Sequence, residues 1–285
     1  MKLLRVGAAG RERPAALDAT GRLRDLSRIV RDIDAGTLEE DSLDKLRGLE
    51  LTALPEIPGN PRTGPCVAGI RKIVCVGLNY RDHAVEAALP VPAEPVLFLK
   101  ATSAIIGPDD EVEIPPGAEK VDWEVELGVI IGKSCKYCPV ERALEHVAGY
   151  CIVNDLSERA YQLERGGQWD KGKCCDTFAP VGPWLVTRDE IDDPQNLDLW
   201  LEVDGRRMQH SNTRAMIFPV TELVSYISRF MTLQPGDVIA TGTPAGVGLG
   251  HKPPVYLRPG QVMRLGIDGL GTQQQRAVAA AAAEG

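Results

Sequence analysis

The residues best suited to chemistry lie in one short stretch, Val121-Asp-Trp-Glu-Val-Glu-Leu-Gly-Val-Ile-Ile-Gly132. Polar and apolar residues alternate there with the period of a β-strand, which places Asp122, Glu124 and Glu126 on one face. Neighbouring carboxylates repel one another unless a cation lies between them, and Mg²⁺, Mn²⁺ and Ca²⁺ prefer carboxylate oxygens as ligands. The stretch therefore indicates either a metal site or a strand with one solvated, acidic face.

A histidine and a glutamate follow the short apolar strand predicted for residues 72–77. A helix beginning there would place His83 and Glu86 one turn apart on one face. A carboxylate beside an imidazole raises its basicity and fixes its tautomer, as a general base requires. A surface His–Glu pair is the alternative. The proline-rich residues 89–95 break regular structure, and together with the helix they could form a movable lid.

Further polar residues lie where apolar segments end. Residues 150–155 predict a second apolar strand that ends at Asp155, where a third metal ligand is expected if the two strands are neighbours. A helix is expected next, with Arg159 and Gln162 one turn apart. Lys100 lies in an apolar segment, where it either faces an anionic ligand or extends to solvent.

The overall composition excludes several classes of protein. The net charge of −8 argues against nucleic acid as a partner, because phosphate binding needs clustered Lys and Arg. The sequence has no apolar run of the roughly 20 residues that a membrane span needs. Its first residues lack an export signal, so we expect a cytoplasmic protein. A Gly-x-Ser-x-Gly elbow, a Walker A motif and a dinucleotide fingerprint are all missing from the sequence.

The seven cysteines do not form an obvious disulfide framework, since their number is odd and the chain is long. Cys135 and Cys138 have the spacing of a metal or redox site, but no second CxxC or CxxH segment completes a zinc site. Cys174 and Cys175 are expected to be packed thiols. We therefore expect a protein with reduced cysteines, and the role of Cys135 and Cys138 stays open.

A Pro/Gly-rich connector, residues 54–65, indicates a domain boundary. Residues 1–66 are expected to form a small leading domain with two short strands and a helix within residues 23–51. Residues 67–285 form the main domain, with an amphipathic helix over residues 218–230. The polar, Ala-rich residues 273–285 are expected to be a frayed tail.

Between about residues 70 and 270 the chain resembles the fumarylacetoacetate hydrolase family in several motifs that occur in the family's order. The motifs are Gly77-Leu-Asn-Tyr80, His83-x-x-Glu86, Phe98-Leu-Lys100, Glu124-Val-Glu126-Leu-Gly, Asn154-Asp155, Gly172-Lys173, Asp176-Thr-Phe and Thr241-Gly-Thr-Pro244. The resemblance implies a mixed α/β, β-rich fold, in which a mixed β-roll or sandwich catalytic domain follows a small α+β domain. It also implies a homodimer that binds a small oxoacid.

The resemblance assigns roles to single residues. Glu124, Glu126 and Asp155 correspond to the ligands of Mg²⁺ or Mn²⁺, and no organic cofactor is implied. His83 and Glu86 correspond to a dyad that activates water under a closing lid, and Lys173 is the third catalytic residue.

The same resemblance identifies substrate-binding positions, which are Tyr80, Lys100, Arg159, Gln162 and Thr243. One residue departs from the family's pattern. Members commonly carry an acid after the arginine equivalent to Arg159, whereas this chain has Ala160. The change could alter how Arg159 is held.

The family resemblance implies hydrolysis of a C–C bond in a 2,4-dioxo acid, giving pyruvate and a hydroxyacid. Ser157-Glu158-Arg159 and Gly167-x-Trp-Asp-Lys-Gly-Lys173 resemble the subgroup that acts on 2,4-diketo-3-deoxy sugar acids. Oxaloacetate decarboxylation, ureidoglycolate cleavage and isomerisation of a hydroxy-dienedioate are the alternatives on the same site. A non-catalytic protein that binds a metal and an oxoacid is the alternative from another class.

Overall fold

The acidic stretch folds into two strands, Val121–Asp122 and Val125–Ile131, in a computed structural model that describes residues 1–86 and 90–281. The strands are β1 (Lys2–Val6), β2 (Arg13–Leu17), β3 (Leu23–Asp25), β4 (Ile73–Gly77), β5 (Val96–Lys100), β6 (Ile105–Ile106), β7 (Val112–Ile114), β8 (Val121–Asp122), β9 (Val125–Ile131), β10 (Val147–Asn154), β11 (Ser157–Glu158), β12 (Ala179–Thr187), β13 (Asp198–Val203), β14 (Arg206–Asn212), β15 (Val238–Ala240), β16 (Val262–Ile267) and β17 (Gly271–Ala279). The helices are α1 (Glu40–Arg47), α2 (Arg81–Glu86), α3 (Arg159–Leu163), α4 (Asp170–Lys173) and α5 (Val220–Phe230). The fold is mixed α/β and rich in strands, as predicted.

Strand β9 lies inside the larger sheet, whose order is β3-β2-β1-β12-β10-β9-β15-β4-β5, with β6 paired to β12. It pairs antiparallel with β10 on one side and with β15 on the other. Both faces are covered: Leu127 and Val129 belong to one hydrophobic core and Ile130 to a second. All of β9 is therefore buried, and the alternative of a solvated acidic face is wrong.

A second sheet, of order β14-β13-β16-β17-β7, supplies Leu201 and Leu265 to the core that contains Leu127. Its strand β17 corrects the expectation of a frayed tail over residues 273–285, since residues 271–279 pair with β16 and β7. The side chains of Gln273 and Gln275 are buried, and Gln273 Nε2 donates to the carbonyl oxygens of Ile152 and Gly182. The polar composition of this segment resembled that of a tail, but its glutamine side chains are buried, and that of Gln273 is hydrogen-bonded there. Residues 282–285 lie outside the described residues.

The leading residues form strands β1 and β2 as predicted, whereas the helix expected within residues 23–51 is limited to α1. Strand β1 pairs antiparallel with β12, so the leading strands continue the larger sheet. The boundary at residue 66 stays a prediction. The predicted helix over residues 218–230 is present as α5. None of the described helices has the length and apolar character needed to span a membrane.

Candidate active site and metal centre

Three carboxylates meet at one end of the β9–β10 pair. Glu126 lies in β9, Glu124 directly precedes it and Asp155 directly follows β10, which runs antiparallel to β9. The Asp155 N–H donates to the Glu124 carbonyl oxygen at 2.9 Å, which holds the two chain segments together. One carboxylate oxygen of each residue lies within 4.8 Å of the others, and all three side chains are buried. The structure thus brings the three predicted metal ligands together.

Three cationic side chains surround this cluster. Lys173 Nζ lies 2.7 Å from Glu124 Oε2 and 3.0 Å from Asp155 Oδ2. Lys100 Nζ lies 2.6 Å from Asp155 Oδ1, and Arg159 Nη2 lies 2.7 Å from Glu124 Oε1. Buried charges need such partners, because an unpaired one loses its hydration without compensation.

Glu126 has the least compensation of the three carboxylates. It makes no ion pair within the described part of the chain, and only the Gly242 N–H donates to its Oε2, at 2.8 Å. Burial, and after it the charges of Asp155 and Glu124, raise the pKa of Glu126 well above its ordinary value. A divalent cation between the carboxylates would remove this repulsion. Three carboxylate oxygens suit a hard ion such as Mg²⁺ or Mn²⁺, so the residues present fit that cofactor.

Glu124 shows the opposite behaviour within the same cluster. Burial opposes its ionisation, but the neighbouring charges of Lys173 and Arg159 outweigh burial and lower the pKa of Glu124 to about 2. Glu124 therefore stays ionised at neutral pH. It is ready to act as a ligand without first losing a proton.

Arg159, at the start of α3, is held by Asp122, the first acid of the acidic stretch. Its Nε donates to Asp122 Oδ2 at 2.8 Å, and its Nη1 donates to Gln162 Oε1 at 3.1 Å. Asp122 therefore does not share the metal-ligand face with Glu124 and Glu126, because the strand is interrupted between β8 and β9. The guanidinium is fixed from several sides although Ala160 replaces the family's acid.

The predicted dyad is formed on α2. His83 Nδ1 lies 3.1 Å from Glu86 Oε2, and Glu86 Oε1 accepts a hydrogen bond from the Gly246 N–H at 2.9 Å. The glycine-rich turn thereby positions Glu86, which in turn orients the imidazole. Residues 87–89 of the predicted lid lie outside the described residues, so the lid itself stays a prediction.

His83 of the dyad and two of the three carboxylates, Glu124 and Glu126, line one cavity of about 110 Å³. Its polar lining consists of His83, Glu124, Glu126, Arg159, Gln162, Lys173 and Thr243. Its apolar lining includes Leu78, Phe98, Leu163, Trp169, Val247 and Leu249. A general base and a charged cluster can therefore act on the same small molecule.

Two residues that the resemblance assigns to substrate do not line this cavity. Lys100 Nζ is directed to Asp155 and to the Leu156 carbonyl oxygen, at 2.9 Å from the latter. Tyr80 is fully buried, and its hydroxyl has no hydrogen-bond partner among the residues described. Lys100 therefore balances the charge of Asp155, and substrate binding by Lys100 or Tyr80 stays a prediction.

Known proteins are similar to this chain over almost its whole length. Residues 72–278 match the family described as fumarylacetoacetate (FAA) hydrolase, C-terminal. The chain belongs to the fumarylacetoacetate hydrolase family. Over 276 residues it is 61% identical to a Burkholderia ambifaria protein that is named only as a candidate hydrolase, and the match covers 96% of this chain and 98% of that protein.

Solved structures of family members carry more specific names. A maleylpyruvate hydrolase from Sphingobium sp. SYK-6, in complex with manganese (II) ion and pyruvate, is 30% identical with a TM-score of 0.82; the match covers 99% of this chain and all of that one. A 2-hydroxyhepta-2,4-diene-1,7-dioate isomerase from Mycobacterium marinum is 34% identical with a TM-score of 0.78, at the same coverage. The family thus contains hydrolases and isomerases. The sugar-acid subgroup, the homodimer and the cytoplasmic location stay predictions.

Sequence reasoning missed two residues that shape this family member's site. It placed Asp122 with the metal ligands, whereas Asp122 anchors Arg159. It gave no role to Trp169, which lines the cavity and packs edge-on against Phe98 with the ring centroids 5.5 Å apart. The alternation of polar and apolar residues singled out Asp122, but it did not predict that the strand is interrupted between Asp122 and Val125.

Proposed function

We propose that this protein is a divalent-metal-dependent hydrolase that cleaves a C–C bond of a 2,4-dioxo acid, releasing pyruvate and a hydroxyacid. The observation that carries the proposal is the shared cavity, which is lined by His83 of the His83–Glu86 pair and by Glu124 and Glu126 of the carboxylate cluster. A general base opposite a cation site suits attack of water on a carbonyl that belongs to an anionic substrate.

In this mechanism, His83 removes a proton from a water molecule, whose oxygen bonds to the C4 carbonyl carbon. Glu86 accepts from Nδ1 and so keeps the lone pair of the neutral imidazole on Nε2, where it can take the proton. The C3–C4 bond then breaks, and its electron pair passes to the three-carbon fragment. Protonation of C3 in that fragment gives pyruvate.

The charged residues beside the dyad bind the acid and stabilise the charge that develops. A divalent cation held by Glu124, Glu126 and Asp155 would supply Lewis-acid polarisation of the substrate's carboxylate and keto oxygens. Lys173 is buried at the cavity wall, where its positive charge favours the enolate of the leaving fragment. Arg159 and Gln162 line the cavity as donors for substrate oxygens.

Among such acids we propose a 2,4-diketo-3-deoxy sugar acid, for example one derived from rhamnonate or fuconate. Two features of the cavity support this choice. Gln162 and Thr243 supply polar groups for sugar hydroxyls, and Leu163, Val247 and Leu249 form an apolar wall suited to a terminal methyl group. Rhamnonate and fuconate derivatives have both kinds of group.

The test is pyruvate release from a diketo-deoxy sugar acid, followed by coupled oxidation of NADH, with Mg²⁺ or Mn²⁺ and again with EDTA. Fast release that EDTA abolishes is the expected result. Oxaloacetate and ureidoglycolate are run in parallel. Pyruvate formed mainly from oxaloacetate would identify a decarboxylase, and turnover of ureidoglycolate would identify a lyase. If the protein binds the metal but converts none of these substrates, it is a non-catalytic protein.

Isomerisation of a hydroxy-dienedioate is the second candidate, because one solved relative carries the name of such an isomerase. The same base would then move a proton between carbon atoms without attack by water. A change in the ultraviolet spectrum of the dienedioate without any pyruvate would identify this reaction.

A further inference from the structure

A second group of metal-ligating side chains lies beyond the opposite end of β9. One donor atom each of Cys135, Cys138 and His146 lies within 4.8 Å of the other two. Glu124 directly precedes β9 and Cys135 lies four residues after it, while the seven-residue strand itself spans about 20 Å. The two groups therefore share no residue and are separated by the length of a strand.

The backbone around the cysteines is firmly held. Cys135 and Leu233 exchange two backbone hydrogen bonds of 2.9 Å. The Cys138 N–H donates to Ser228 Oγ at 2.9 Å, and Ser225 Oγ donates to the Cys138 carbonyl oxygen at 2.7 Å. Both serines lie in α5. The backbone that carries the two cysteines is thus held in place before any ion binds, and Cys138 is held against α5.

His146 joins this group from the far side of the same connection, at the end of a 3₁₀ helix over Val140–His146. Its Nδ1 lies 3.3 Å from the Lys133 carbonyl oxygen, and its own carbonyl accepts from the Gly132 N–H at 2.8 Å. A backbone contact to one ring nitrogen is the usual way in which a ligating imidazole is oriented. Neither a disulfide nor a pair of packed thiols needs an imidazole at this place.

We propose that Cys135, Cys138 and His146 bind a thiophilic divalent cation of the Zn²⁺ class. Two thiolates and an imidazole suit Zn²⁺, whereas the carboxylate cluster of the active site suits a hard cation. Zn–S bonds of about 2.3 Å and Zn–N bonds of about 2.0 Å place tetrahedral ligand atoms about 3.5 Å apart, so small side-chain rotations close the group on an ion. Water occupies the fourth position. Because all three ligands lie between β9 and β10, the bound ion closes this connection on itself.

Cobalt substitution tests the site directly. The full-length protein, purified with its thiols reduced, is loaded with one equivalent of Co²⁺ while Mg²⁺ in excess occupies the carboxylates. We expect an intense near-ultraviolet thiolate-to-cobalt charge-transfer band, which carboxylate ligands cannot produce. Absence of the band in the reduced protein overturns the proposal. A protein isolated with two fewer titratable thiols than its seven cysteines, and without zinc, also overturns it in favour of a Cys135–Cys138 disulfide.

Matched variants separate this site from the rest of the chain. Cys138→Ser should abolish the band. His146 is partly exposed, so the fold should tolerate His146→Ala. This variant should weaken Zn²⁺ binding by more than the roughly 10–100-fold caused by loss of a residue that only supports a ligand. Cys66→Ser, a buried thiol outside the group, should leave the band unchanged. Both ligand variants should release pyruvate at the wild-type rate. A band of full strength in Cys138→Ser would contradict the assignment.

Discussion

Arg159 and Asp122 form a buried ion pair in which Nε donates to Oδ2 at 2.8 Å. The same Asp122 carboxylate accepts backbone hydrogen bonds from Gly248 at 2.6 Å and Leu249 at 3.0 Å. One side chain therefore connects the acidic strand, the helix that carries Arg159 and the glycine-rich turn. Because the Glu86 carboxylate is docked on that turn at Gly246, the pair also stabilises the surroundings of the dyad.

Asp122→Asn should disturb both substrate binding and stability. An amide can still accept from Gly248, but its NH₂ group would face the Arg159 Nε–H, donor against donor. We expect KM to rise about tenfold, as for loss of a hydrogen bond to a charged group. We also expect the free energy of unfolding to fall by about 3 kcal/mol, because the buried Arg159 guanidinium loses one of its two carboxylate partners.

Kinetics and urea unfolding measure the two effects of Asp122→Asn. Glu145→Gln is the matched control, since it breaks the solvent-exposed Arg142–Glu145 pair, and it should change stability by less than about 1 kcal/mol. Equal effects of the two substitutions would show that burial of the Asp122–Arg159 pair has no energetic consequence.

Glu126→Gln should separate metal affinity from stability. Without metal, the substitution removes one of three mutually repelling buried carboxylates, and the amide oxygen can still accept from the Gly242 N–H. The metal-free protein should therefore unfold at an equal or higher urea concentration than the wild type. Mn²⁺ affinity, measured by calorimetry, should fall by at least about 10–100-fold. Unchanged Mn²⁺ affinity would place the ion elsewhere.

His83→Ala should abolish catalysis and preserve metal binding. A general base contributes about 10²–10⁴-fold to the rate, so kcat should fall by that factor. Within the part of the chain that the structure describes, His83 makes no hydrogen bond or ion pair with the carboxylate cluster, so the Kd of Mn²⁺ should match that of the wild type. Single-turnover kinetics and calorimetry measure these two quantities. Full activity in the variant would assign the dyad a structural role.

The sequence predicted that Glu124 lies beside Glu126 and His83 beside Glu86, because their spacing follows from regular structure. Glu124 and Glu126 are two residues apart in an extended segment, and His83 and Glu86 are one turn apart on one helix, so local periodicity is sufficient. The partner of Arg159 could not be predicted, since it depends on a break between β8 and β9 and on a distant turn. Burial of Gln273 and Gln275 was missed for a related reason, because their partners lie more than 90 residues away along the chain.

Asp18, in the leading residues, should make the free energy of unfolding depend on pH. Hydrogen bonds from the Thr20 hydroxyl, the Arg22 and Thr20 amides and the Arg24 guanidinium outweigh burial and lower the pKa of Asp18. A carboxyl whose pKa is lower in the folded state stabilises the protein above its unfolded pKa of about 4, and the stabilisation is lost as the pH falls through the folded value. Asp18→Asn should therefore reduce stability at pH 7 and have less effect at pH 3. Urea unfolding at both pH values measures this difference, and an equal loss at both would contradict it.

Gly250→Ala should inactivate the dyad although it replaces neither His83 nor Glu86. A Cβ at Gly250 would overlap with Cδ and Oε1 of Glu86, so the carboxylate must move and lose its contacts with His83 and Gly246. We expect kcat to fall to the level of Glu86→Gln while Mn²⁺ affinity stays constant. Gly250→Ala and Glu86→Gln both disturb the contact between Glu86 and His83. The double variant should therefore have a kcat little lower than that of either single variant. Gly48→Ala is the control, since its Cβ would meet backbone atoms no closer than 3.6 Å, at the ordinary contact distance. Additive losses in the double variant would show that Gly250 acts by another route than Glu86.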